Sequence, residues 1–151
     1  MNVPALAEAE DLRARVEQAG VRLTAQRRKV LEELSQERDD ATAQELHRRL
    51  VSRGERLGLA TVYRALESFV EAGLVDELSH QATERCYRVC RSDEHHHHLV
   101  CSSCHRVVEL TDCRVAEWVE RAAADLGFTA TRHELEVSGL CDECRRAGTR
   151  A

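Results

Sequence analysis

Apolar positions recur at helical spacing four times in the first half of the chain and alternate between strand and helical spacing in the second half. Residues 1–10 read as a loose, Ala- and Glu-rich start. Helical spacing begins near Asp11, with Leu12, Val16 and Ala19 on one face and Gly20 closing the segment. Thr24 stands where a cap is needed for a second helix over 25–34, whose apolar face is Val30, Leu31 and Leu34. Thr42 does the same for a third helix over 43–53, with Leu46 and Leu50 inward and Gly54 as its stop. A fourth helix is predicted over 59–72, ending at Gly73, and two β stretches follow at 74–78 and 85–89. Short helices followed by a two-stranded hairpin form the outline of a winged helix-turn-helix.

Beyond His95 the pattern changes. A histidine run leads into a strand-like 107–110, an amphipathic helix over 113–126 and a strand-like 129–137. The expected fold class is α+β. A winged helix occupies residues 1–90, a hinge about 76–94, and a smaller α/β lobe residues 95–151.

Composition supports two lobes. The chain has 151 residues and only 3% aromatics, too few for one large core. No apolar run approaches the roughly 20 residues that cross a bilayer. Residues 1–21 carry Glu8, Glu10 and Asp11 and no apolar signal region, which predicts a cytoplasmic protein with no membrane partner. A net charge of −5 argues against a simple polyanion binder. The charge is uneven, however: from Arg22 to Arg64 ten Lys/Arg stand against seven Asp/Glu. One local face could meet a polyanion.

Seven cysteines make an odd set, unlike a disulfide scaffold. Four of them form two CxxC pairs, Cys101/Cys104 and Cys141/Cys144. Four thiolates hold a tetrahedral dication well, and a two-residue spacer lets both sulfurs of a pair face one ion. The 36 residues between the pairs exceed the spacing of about 15–20 in a simple zinc ribbon, so a folded insert is expected whose ends the metal clamps. Two redox CxxC pairs are the rival reading.

The run His95–His98 sits directly before the first CxxC. In an extended chain, alternate side chains face opposite ways, so His95 and His97 share one face while His96 and His98 share the other. One run could then serve two metal sites. Asp76 and Cys90, at the lobe boundary, would complete a set with His96 and His98, and the thiolate favours zinc over manganese or iron. His133 could join His95 and His97. His47, His80 and His105 read as structural or surface residues.

The segment Gly58-Leu59-Ala60-Thr61-Val62-Tyr63-Arg64-Ala65-Leu66, the following Ala72-Gly73-Leu74-Val75, the histidine run into Cys101-Ser102-Ser103-Cys104, and Cys141-Asp142-Glu143-Cys144 resemble, as an ordered set, the ferric-uptake-regulator family, and within it the zinc-sensing branch. The resemblance spans about residues 12–146. It implies a DNA-binding winged helix joined to a C-terminal dimerisation domain, and a zinc-responsive repressor of zinc uptake genes that binds double-stranded operator DNA as a homodimer. It implies two to three Zn2+ per monomer: structural zinc at Cys101, Cys104, Cys141 and Cys144, and regulatory zinc at Asp76, Cys90, His96 and His98. A third metal site would use His95, His97 and His133 with a glutamate whose place here is Ala116. Cys113 or Glu117 would have to substitute, and Glu109 is a further carboxylate nearby. Iron sensors of the family tend to carry a histidine before the third helix, where this chain has Asp40 or Ala41.

The same resemblance puts the fourth helix in the major groove. Arg64 would then bond guanine and Tyr63 would touch thymine methyls. Thr61 would cap the helix or meet phosphate, while Arg22, Arg27 and Arg28 would meet the backbone. The rival reading packs Tyr63 into the core and leaves the arginines solvated. A regulator of iron, manganese, nickel or peroxide is the alternative function. An enzyme is not expected: the chain has neither the HExxH pattern of zinc proteases nor a Gly-rich phosphate loop.

Overall fold

Two threonine caps start the helices that build the first unit. The computed structural model describes residues 3–36, 40–79, 84–91 and 94–148, the first eight of these as backbone only. It divides into two compact units, residues 1–91 and 92–151. In the first, helix α1 (Val3–Gln18) leads to α2 (Ala25–Ser35), capped by Thr24, whose Oγ1 accepts the Arg27 N–H at 3.3 Å. Strand β1 (Ala41–Thr42) runs straight into α3 (Ala43–Ser52). Here Thr42 Oγ1 accepts the Glu45 N–H at 3.2 Å, and Glu45 Oε2 accepts the Thr42 N–H at 2.9 Å. Each side chain satisfies a backbone donor that the first helical turn leaves open.

Helix α4 (Leu59–Glu71) buries Val62, Ala65, Leu66 and Phe69. They pack with Val30, Leu31 and Leu34 of α2 and with Leu46 and Leu50 of α3 in one core. Gly73, at φ 69°, turns the chain out of α4, a conformation that costs glycine little. Strands β2 (Val75–Leu78) and β3 (Cys86–Val89) form the wing, antiparallel, in the sheet order β1-β3-β2. Leu74, Val75 and Tyr87 close the core from that side.

The second unit has strands β4 (His97–Cys101), β5 (Val107–Leu110) and β6 (Glu136–Gly139), in the order β5-β4-β6. Strand β4 pairs antiparallel with β5 and parallel with β6. The parallel pairing requires a crossover, which β5 and helix α5 (Ala116–Asp125) supply. A five-residue helix, α6 (Asp142–Arg146), carries the last CxxC. The chain is therefore α+β.

Three expectations need correction. The first helix begins at Val3, not near Asp11. Residues 5–10 are Ala, Leu and Glu, all strong helix formers without an apolar stripe, and Pro4 lies in the first turn, where its missing N–H costs nothing. Helix α5 starts at Ala116 rather than Cys113. The strand expected over 129–137 is confined to Glu136–Gly139. The His98 N–H meets the Leu135 carbonyl at 3.1 Å, so pairing with β4 begins only there. His80 and the hinge residues 80–83 and 92–93 lie outside the described residues. Among the described residues no helix is long and apolar enough to cross a membrane.

Candidate metal centres and nucleic-acid interface

The end of β4 and the start of α6 bring the two CxxC pairs together. The ligand atoms of Cys101, Cys104, Cys141 and Cys144 all lie within 4.8 Å of one another. The turn after β4 is drawn tight by the His105 N–H, which reaches the Cys101 carbonyl at 2.9 Å, with His105 itself at φ 62°. The second pair is tied to the first by Ser102 N–H to the Gly139 carbonyl at 2.8 Å and by Cys141 N–H to Cys101 Sγ at 3.3 Å. Around an ion at about 2.3 Å from each sulfur, tetrahedral thiolates stand about 3.8 Å apart. Cys104 Sγ and Cys141 Sγ are 3.8 Å apart. The residues fit a zinc ion.

The charges of this site point the same way. N–H groups of Cys104, Cys141 and Ser103 draw the Cys101 thiol down to about 6, into the range of a thiolate. The Arg106 N–H also draws Cys104 down, but the neighbouring Cys101, burial and the other two thiols together push it up to about 12. One thiolate is prepared by the backbone, and ionising Cys104 beside it calls for a cation among the four sulfurs.

A second cluster lies at the other end of β4. His95 Nε2 is 3.2 Å from His97 Nε2 and 3.0 Å from His133 Nε2, while Cys113 Sγ is 3.1 Å from both His97 Nε2 and His133 Nε2. Nitrogen donors about 2.0–2.1 Å from a zinc ion would stand slightly over 3 Å apart, so this set also fits. Burial first, then the charges of His95 and His133, hold His97 below its ordinary value, which keeps its imidazole neutral, the form that ligates a metal. Glu117 is exposed on α5 and outside the cluster, so geometry brings in Cys113 and not Glu117. A cavity of about 290 Å³ flanked by His95, His133, Ala116 and Val119 lies beside it. Ala116 fills little of the space where the family resemblance expects a glutamate.

The residues expected to sense metal divide between the units. In the first, Asp76 on β2 and Cys90 just after β3 have ligand atoms within 4.8 Å of each other. Cys90 is buried, and its N–H donates to the Leu74 carbonyl at 3.0 Å. In the second, the His96 and His98 rings are 5.0 Å apart between centroids. His96 Nδ1 donates to the Glu94 carbonyl at 2.8 Å, which fixes the tautomer with Nε2 as the nitrogen able to ligate a metal. His47 Nε2 donates to the Leu57 carbonyl at 2.9 Å, a structural bond between α3 and the loop before α4.

The outer face of α4 carries Ala60, Arg64, Glu67 and Glu71. Arg64 is exposed, Thr61 half-buried, and Tyr63 half-buried against the core. Arg22 and Arg28 are exposed, whereas Arg27 Nη1 donates to the Arg22 carbonyl at 3.1 Å and braces the entry to α2. The sequence reading missed Arg15 of α1. Its long aliphatic stem lies at core spacing, but a cation there reads as solvated, whereas Arg15 is 8% exposed.

Residues 18–138 match the model of the Ferric uptake regulator family. The chain is 46% identical over 127 residues to the zinc uptake regulation protein of Mycobacterium tuberculosis (strain ATCC 25618 / H37Rv), covering 84% of this chain and 97% of that protein. It is 37% identical over 134 residues to the ferric uptake regulation protein of Escherichia coli (strain K12), covering 86% and 89%. Its fold is similar to that of a zinc uptake regulator complexed with zinc and DNA, with TM-score 0.77 and 29% identity over 95% of this chain and 94% of that one.

Proposed function

The chain belongs to the ferric uptake regulator family, whose members are metal-responsive transcription regulators rather than enzymes, and we propose that it is a zinc-responsive repressor that grips operator DNA as a homodimer when zinc-loaded. The observation that carries the zinc reading is the buried Cys90 thiol beside Asp76: a thiolate in the sensory set favours zinc over iron and manganese. Bound zinc supplies a dication that accepts ligands from both units.

Asp76 and Cys90 are the donors from the winged helix, and His96 and His98 those from the C-terminal unit. Joining them restricts the two DNA-binding units of a dimer to the spacing of a palindromic operator. Arg64 on α4 then bonds a guanine edge, with the ring face of Tyr63 against a thymine methyl. Thr61, Arg22, Arg27 and Arg28 hold phosphates and set register. The exposed apolar side chains Leu99, Val108, Leu110 and Val137 on the C-terminal sheet support pairing with a second copy. The repressed genes are those of zinc uptake, the system a zinc-loaded protein has reason to switch off.

The test is binding to a duplex that the wild-type protein selects from a random pool, at buffered free zinc, iron or manganese. Zinc is expected to strengthen binding and the other two to fail. A coupling of about 1–3 kcal/mol corresponds to a gain of about 5–150-fold. Cys90→Ser should erase that gain, and a variant that keeps it removes Cys90 from the sensor.

His95, His97, Cys113 and His133 hold a third zinc in this reading, and Cys101, Cys104, Cys141 and Cys144 the structural one, for three per monomer. Cys113→Ser is expected to weaken the third centre by roughly 10–100-fold, at least the cost of altering an outer partner of a metal ligand. With the four-cysteine site kept in zinc and Cys90→Ser in the background, cobalt added to the protein should show sulfur-to-cobalt charge transfer that Cys113→Ser abolishes. Its persistence would mean that Cys113 is not a ligand.

A further inference from the structure

We propose that Arg15 is a positioning residue, through which metal held at Cys90 is felt by the DNA-binding helices. The proposal rests on the sensory role of Cys90 given above. Arg15 lies on α1, is 8% exposed, and its Nη1 donates to the Cys90 carbonyl oxygen, a buried bond between residues 75 apart in sequence. With the Cys90 N–H held by the Leu74 carbonyl, both polar backbone groups of the thiol-bearing residue are pinned. The thiol hangs from that same Cα, so its aim depends on this clamp. The hydrogen bond is charge-assisted, and in a buried site such bonds are short and directional.

The other end of the link is equally firm. Val16, the next residue, is 3% exposed in the core built by α2, α3 and α4, and Leu12 packs against the same core. The Val21 N–H bonds the Val16 carbonyl at 3.3 Å, and residues 22–24 run directly to the Thr24 cap of α2. A displacement of Cys90 therefore reaches α1, α2 and, through the shared core, α4. The wing has a related feature: Arg88, 4% exposed on β3, is the register partner of Asp76 on β2. Both metal-facing residues of the first unit thus stand next to a buried guanidinium. Burying two such charges costs a small unit stability that aliphatic residues of the same volume would not. Of the two, only Arg15 lies outside the wing and leads to the recognition helix.

The experiment uses the full chain, Arg15→Met, and Arg15→Lys, which keeps the charge and one donor. The duplex selected by the wild type is titrated in excess zinc and with zinc chelated from the sensory centre. Arg15→Met should cut the zinc-dependent gain in affinity about tenfold while the zinc-free affinity stays within about twofold, and Arg15→Lys should recover part of the gain. A merely structural role lowers both affinities together and leaves their ratio intact, and that result overturns the proposal. A second readout needs no loaded protein: in the zinc-free state the Cys90 amide should exchange with solvent faster in Arg15→Met than in the wild type. If the wild type itself gains nothing from zinc, the zinc reading falls, and unchanged Cys90 exchange then overturns the positioning role as well.

Discussion

Replacing Cys141 with serine is expected to unfold the C-terminal unit while leaving the winged helix folded. The reason is how little apolar surface the smaller unit buries. Its buried hydrophobic residues, among those described, are Val100, Cys101 and Val107, and α5 buries none. Strand β6 has four residues and α6 five, both too short to hold themselves. Structural zinc sites release about 10–16 kcal/mol on binding, comparable to the whole stability of a domain, about 5–15 kcal/mol. Without Cys141 the parallel pairing of β6 with β4 loses the clamp that closes its 36-residue insert.

The first unit has a complete core of its own, from Val30 and Leu34 through Leu46 and Leu66 to Phe69. Thermal unfolding followed by circular dichroism should therefore show two behaviours. The helical transition of the winged helix should persist, while the variant is expected to lose the proposed zinc, dimer and operator binding together. A Cys141→Ser chain that remains a dimer with its zinc content intact would show that the four cysteines do not hold the unit together. Chelation of wild-type zinc should reproduce the variant, and restoring zinc should reverse it.

The parts of this molecule legible in its sequence are those where chemistry repeats at short range. Thr24 and Thr42 announce α2 and α3 because a capping side chain must stand within three residues of the N–H it satisfies. The apolar period of α4 is strong enough to delimit it within a residue. The paired CxxC motifs announce their site because two spacers of two residues already orient four sulfurs. What could not be read is what depends on long-range placement. The two-residue β1 exists only because Ala41 and Thr42 meet Tyr87 and Cys86 of β3. The strand expected over 129–137 shrank because alternation alone cannot tell a paired strand from an extended connector that delivers His133 to its partners.

The fourth member of the histidine cluster shows the same limit more sharply. Cys113 and Glu117 lie four residues apart and both precede or begin a helix, so spacing treats them alike. Only the fold separates them: α5 starts at Ala116, leaving Cys113 in the turn beside His97 and His133 and sending Glu117 to the surface. The bond from Arg15 to Cys90 crosses 75 residues and has no local signature at all.

Leu99→Asp is expected to split the proposed dimer and, with it, the proposed high-affinity operator binding. Leu99 on the central strand β4 pairs in register with Val108 on β5 and Val137 on β6, so three aliphatic side chains form a row across the whole sheet. They are 39%, 41% and 41% exposed. In a unit with so few buried apolar residues among those described, such a row is surface that a second copy would bury. A two-fold interface uses the same patch from both sides, so one substitution places two carboxylates in it. Covering the remaining two-fifths of each aliphatic side chain contributes about 1 kcal/mol, and an unpaired buried charge removes more than that. The expected result is a monomer by sedimentation.

Two linked reading heads exceed one by about 10²–10⁴-fold in affinity, so operator binding should fall by a factor in that range even in excess zinc. Because Leu99 is exposed in the single chain, the substitution should leave the monomer fold and zinc at the four cysteines unchanged, which separates this outcome from that of Cys141→Ser. A Leu99→Asp protein that still sediments as a dimer would move the interface away from the β4–β5–β6 face. One that is monomeric yet binds the operator as tightly as before would mean that the two DNA-binding units do not act as a pair.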